Sequence, residues 1–196
     1  MRALLACLVL TLALPALAGP FGLEKGMTVA ELRAAGVELE ADGDHWWRAH
    51  TAPRPHQAFD AYLLLIHPEH GLCKISAASR EIEIDGSGTQ ARASYEKLER
   101  TLTGKYGAGE AVDKVVKGSR WRAAGQWARA LAEGDAHLAH LWSERGGDHM
   151  PDRLQSIVLR VESVAEGEAV VIVSYEFDNI AACTAKEPLP TGLQEL

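Results

Sequence analysis

The sequence predicts an α+β domain: a mainly antiparallel sheet with one or two helices packed on a face. Three observations carry that expectation. Leu154 to Phe177 contains two runs with a period of two, joined across Ala165-Glu166-Gly167-Glu168, where Gly supplies a positive φ and the charges prefer water. Thr89 to Tyr106 carries Tyr95, Leu98, Leu102 and Tyr106 at spacings of three and four, the stripe of an amphipathic helix. The strands come first, the helix follows, and a strand pair closes the chain, an order that departs from repeated βαβ units.

Met1-Arg2 gives a positive start, Ala3 to Leu14 is an uncharged apolar run, and Ala16-Leu17-Ala18 is a small-x-small cleavage signal. This is the pattern of a secretory signal peptide over 1–18. The run is too short for a membrane span, and no other stretch is long enough, so no membrane span is expected. Leu4-Leu5-Ala6-Cys7 superficially resembles a lipobox, but a lipobox cysteine follows the apolar run, and here most of the run comes after Cys7. Removing 18 of the 196 residues leaves 178, enough for one domain, placed at 19–186 with a loose tail over 187–196.

Phe21 to Leu32, FGLEKGMTVAEL, opens the exported chain. Thr28 and Glu31 stand at capping-box spacing, which predicts a short helix from Val29 to about Ala35 with Gly36 as its stop. The Phe-Gly-Leu…Gly-Met-Thr…Glu-Leu opening resembles the start of small exported bacterial proteins of uncharacterised families. It is also similar to the Gly-Met-Thr turn that begins the helices of BamE-like outer-membrane assembly lipoproteins. The resemblance spans Phe21 to Leu32 and implies no site; the chain lacks both a usable lipobox and a Leu-Gly-x-Pro after the first helix.

Val37 to Ala49 reads as a hairpin around Asp42-Gly43, and Trp46 and Trp47 at its end face opposite sides if extended. The prolines of Thr51 to His56 keep that stretch irregular. Phe59 to Ile66 is apolar on both faces, as a central strand is. Pro68 to Gly71 is a turn, and Leu72 to Ala77 and Glu81 to Ile84 return as one strand or two. Beyond the long helix, Trp121, Trp127 and Leu131 suit a second helix from about Arg122 to Ala132, His137 to Trp142 a short strand, and Asp178 onward a tail held at Cys183.

The chain has 3 Cys, and Cys7 leaves with the signal, so an exported protein retains Cys73 and Cys183 as one disulfide pair. The formal charge is −7, or −8 once Arg2 is removed. Such a balance lacks the basic field that nucleic acid requires, although Lys and Arg cluster modestly between Lys114 and Arg129. His67 and His70 flank the turn before Cys73 at plausible zinc spacing, yet paired exported cysteines oxidise, so no metal site and no cofactor is expected. His137 and His140 point to opposite faces on a strand. No nucleophile elbow or phosphate loop is present.

What remains is a soluble periplasmic or secreted protein that binds a protein partner, of the immunity, inhibitor or assembly type, with Trp46 and Trp47 as candidate contact residues. The alternatives are a small periplasmic hydrolase whose site is assembled from separated residues, and a histidine-based metal- or ligand-binding protein.

Overall fold

A computed structural model describes residues 19–123 and 125–185. The stretches expected to be a signal peptide (1–18) and a tail (187–196) lie outside the described residues. Among these, nine strands form one antiparallel sheet: β1 (Glu40–Ala41), β2 (Trp46–Ala49), β3 (Ala61–His67), β4 (Gly71–Ala78), β5 (Ile82–Glu83), β6 (Glu110–Val115), β7 (Ala136–Ser143), β8 (Leu154–Ala165) and β9 (Glu168–Phe177). The spatial order is β1-β2-β3-β4-β9-β8-β7-β6, with β5 also on β9. Four helices accompany them: α1 (Val29–Ala34), α2 (Thr89–Tyr106), α3 (Trp127–Ala132) and α4 (Ile180–Thr184). The α+β fold with a mainly antiparallel sheet is therefore as expected.

The register explains how one sheet serves two environments. Trp47, Leu64, Ile75, Tyr175, Ile157 and Trp142 are successive cross-strand partners, and all belong to or pack on the main core. One residue along, the row is Trp46, Leu65, Lys74, Glu176, Ser156 and Ser143, which is mostly polar. Because side chains alternate, the first row faces α2 and the second faces away. On that second face Lys74 pairs with Glu176 at 2.8 Å, and Ser156 also donates to Glu176. Burial pushes the Glu176 carboxyl up, but Lys74 and Ser156 outweigh it and hold the pKa below its usual value.

Local chemistry sets the helices. Thr28 Oγ1 accepts from the Glu31 N–H at 3.2 Å, and Glu31 Oε2 accepts from the Thr28 N–H at 2.8 Å, which completes the capping box. Before α2, the Asp85 carboxylate accepts from the Ser87 and Thr89 N–H groups, both at 3.1 Å. These bonds satisfy donors that the helix start leaves open. Ala91, Tyr95, Leu102 and Tyr106 are buried beneath α2, while Leu98 on the same stripe is half-buried.

Two segments settle what the sequence leaves open, the return after β3 and Glu110–Val115, and two differ from expectation, the start of the second helix and the C-terminal tail. The return after β3 is two strands: at Ser79 the N–H donates to Val171 O and the Oγ accepts from the Val171 N–H, so a side chain carries the ladder across the break. The second helix starts at Trp127 rather than Arg122, because Gly125 (φ 78) and a turn from Ala123 to Gln126 intervene. Glu110–Val115 is an edge strand on β7. Within the expected C-terminal tail, α4 forms over β3 and β4, where Asn179 Nδ2 donates to the carbonyls of His70 and Leu72.

Cys73 on β4 and Cys183 on α4 stand at disulfide distance, with Cα atoms 6.5 Å apart. With Leu65 and Ile180 they form a small second core on the outer face of the sheet, and Trp46 packs against it.

Candidate functional site

A concavity of about 1030 Å³ lies between α3 with its preceding loop and the β8–β9 turn. Glycine makes its wall possible. A Cβ on Gly86 would stand 2.1 Å from Gly125 O, so the loop before α3 rests directly on the backbone before α2. The Ala128 N–H donates to Gly86 O at 3.0 Å. One step on, the Trp127 ring lies where a Gly88 Cβ would be, 2.1 Å from its Cε3. The Arg92 guanidinium sits 4.5 Å from the Trp127 ring centroid and makes a bidentate pair with Asp113 on β6 at 2.7 and 3.2 Å. Loop, helix and edge strand are thereby joined.

Trp121 is the aromatic residue of the cleft. The guanidinium carbons of Arg120 and Arg129 stand 4.8 and 5.0 Å from its ring centroid. Its N–H donates to Ser119 Oγ at 3.0 Å, which fixes the loop. Across the opening Arg129 pairs with Glu166 on the β8–β9 turn at 3.2 Å, both largely exposed, and the Ile84 N–H anchors that turn on Gly167 O. A flat aromatic ring flanked by two cations is chemistry for a carboxylate-bearing or peptide surface.

The residues singled out in the sequence fall elsewhere. Trp46 and Trp47 are half-buried on opposite faces of the sheet, so they form no common surface; Trp47 packs on the main core with the Arg33 guanidinium 5.5 Å from its ring. His67 and His70 stack, with centroids 4.8 Å apart, and His45 joins them at 5.0 Å from His67. His67 Nδ1 accepts from the Glu69 N–H, which occupies one of its two nitrogens. Among the described residues no group of three or more His, Cys, Asp or Glu is placed to hold a metal ion. His137 and His140 do point apart. His140 is 4 % exposed, stacks on Trp142 at 4.1 Å and bonds through Nε2 to Ala108 O at 2.8 Å, with Nδ1 3.4 Å from Glu99.

The strongest pKa perturbations belong to packing. Burial, assisted by Glu99 and Asp113, pushes the Tyr95 phenol up to about 12. Burial also drives Tyr175 far above the usual tyrosine range. At the sheet end Asp178 is held below the usual carboxylate range by its bond from Lys25 and by Arg153.

Helical periodicity groups Trp121 with Trp127 and Leu131, which hides the cleft in the sequence. Its trace is the alternation of basic and aromatic residues, Arg120-Trp121-Arg122 and Trp127…Arg129, within the basic stretch Lys114 to Arg129. No family model, curated protein or solved structure matches the chain. Among the described residues no helix is long and apolar enough to cross a membrane.

Proposed function

We propose that this is an exported, non-catalytic binding protein that seats a protein partner of the cell envelope in the α3 cleft. One observation carries the reading: half-buried Trp121 lines a wide opening, with the guanidiniums of Arg120 and Arg129 4.8 and 5.0 Å from its ring centroid. Trp and Arg are the residue types on which protein interfaces most often depend. The opening is wide and shallow, and its rim carries both signs through Arg120, Arg129, Glu133 and Glu166, which suits a polar, partly charged peptide segment. Export is supported by the signal pattern over 1–18 and by Cys73 and Cys183 at disulfide distance.

The test is affinity capture from the envelope with the native chain and with Trp121→Ala, read by mass spectrometry. The native chain should recover a discrete partner that Trp121→Ala loses while remaining folded by circular dichroism. Recovery of the same proteins by both chains, or of none by either, overturns the assignment.

A further inference from the structure

We infer that a second, separate site binds an anionic amphiphile: a single apolar tail ending in a carboxylate or comparable acid, held along the flank of α2. Two cavities, about 560 and 380 Å³, lie there and share His56, Phe59, Leu98 and Thr101 as walls. The first takes Ser94, Lys97, Leu98 and Thr101 from α2, and the second takes Leu98, Thr101, Leu102 and Lys105. These are successive turns of one helix face, so the two cavities run end to end as a trough. From Ser94 to Lys105 the helix rises about 16 Å.

The floor of the trough is apolar. Val171, Val173 and Tyr175 come up from β9, with Phe59 from the loop before β3 and Phe21 from the N-terminal turn. Phe21 is held in a left-handed conformation (φ 57), and its ring meets Phe59, Tyr62 and Tyr175 edge-on at 5.2 to 5.7 Å. A non-glycine residue is disfavoured in that region, and the aromatic contacts offset the strain. The strained turn thus places an aromatic wall at one mouth of the trough.

The rim is cationic in a chain that is acidic overall, with 27 Asp and Glu against 20 Lys and Arg. Arg54 and Lys105 stand at the Phe21 end, together with His56, and no acid lines that cavity. Lys97 and Arg80 stand at the other end, where Asp60 is the one acid and pairs with Arg80 at 3.4 Å. An apolar floor with unbalanced positive charge at one mouth matches a tail with an acidic head. A neutral apolar ligand would make no use of the rim. A cationic one would be repelled by it.

Calorimetric titration of the full exported chain with laurate tests the site, with dodecyltrimethylammonium as the probe of equal tail and opposite charge. Laurate should bind one to one below its micellar concentration, and the ammonium probe should not. Reversing the mouth charge with Arg54→Glu plus Lys105→Glu should weaken laurate by roughly tenfold or more. These two side chains are exposed, so folding is expected to survive and is checked by circular dichroism. Thr101→Trp, on the exposed wall shared by both cavities, should block laurate without affecting partner capture through Trp121. Absence of laurate binding, equal binding of both probes, or indifference to both variants overturns the proposal; so does an acidic peptide that competes laurate away at equal concentration.

Discussion

Replacing Gly86 with Ala is the sharpest probe of how the α3 cleft is built. The new Cβ would lie 2.1 Å from Gly125 O and 3.1 Å from Gly125 C, both backbone atoms that no rotamer change can move. Gly86 is not in the left-handed region, so the whole effect comes from that contact. Overpacking of this kind costs about 1–3 kcal/mol. For a chain of this size each kcal/mol lowers the melting temperature by about 2–4 °C. A fall of several degrees is therefore expected in a thermal melt, together with altered emission from Trp121 as its loop lifts away. Gly104→Ala is the control: Gly104 lies within α2 with open space around its Cβ position, and Ala there should be neutral or stabilise by about 0.5–1 kcal/mol. Equal melting of Gly86→Ala and the native chain, with unchanged Trp121 emission, would refute the docking of loop on loop.

Leu102, buried under α2 in the main core, should cost about 2–5 kcal/mol as Leu102→Ala in denaturant unfolding; a loss under about half a kcal/mol would show that the helix stripe does not face the sheet. Cys183→Ser opens a cross-link between residues 110 apart, worth up to about 4–5 kcal/mol by chain entropy, and should lower the melting temperature and expose α4 to protease; an unchanged protease pattern contradicts the tethering. Asp178, whose carboxyl is lowered by Lys25 first and Arg153 next, contributes stability that is present above the unfolded carboxylate pKa of about 3.9 and lost as pH falls through the lower folded value. The advantage of the native chain over Asp178→Asn should accordingly be a few tenths to about 1 kcal/mol at neutral pH, given its solvent exposure, and should vanish in acid; a pH-independent difference would show that the ion pairs play no part.

The main framework was legible because period carries it. The stripe Tyr95, Leu98, Leu102, Tyr106 and the alternation of β8 and β9 encode which face is buried, and the structure buries those faces. The pair Cys73 and Cys183 was legible from compartment and number alone. Less was visible where tertiary contact decides. The segment from Ile180 to Thr184 is too short to declare a helix, and it forms over the second core where Asn179 bonds to the turn before β4. Glu110–Val115 is exposed or half-exposed along its length, so it shows no burial pattern to read. The cleft was hidden for a related reason. Its wall depends on Gly86 meeting Gly125 and Gly88 meeting Trp127, contacts between residues some 40 apart whose only trace in the sequence is the absence of a side chain. Trp46 and Trp47 are candidates because Trp is enriched at interfaces, and alternation along β2 sets the two rings on opposite faces, as expected.

The claim that the α3 cleft is the partner-binding surface is tested most directly by a photo-crosslinking amino acid placed at Trp121 in the full chain, expressed in its native host and illuminated in intact cells. The account predicts a discrete crosslinked species from position 121 and none from Val116, an exposed apolar position that does not line the cleft. No crosslink from position 121, or the same crosslinked species from Val116, would contradict it.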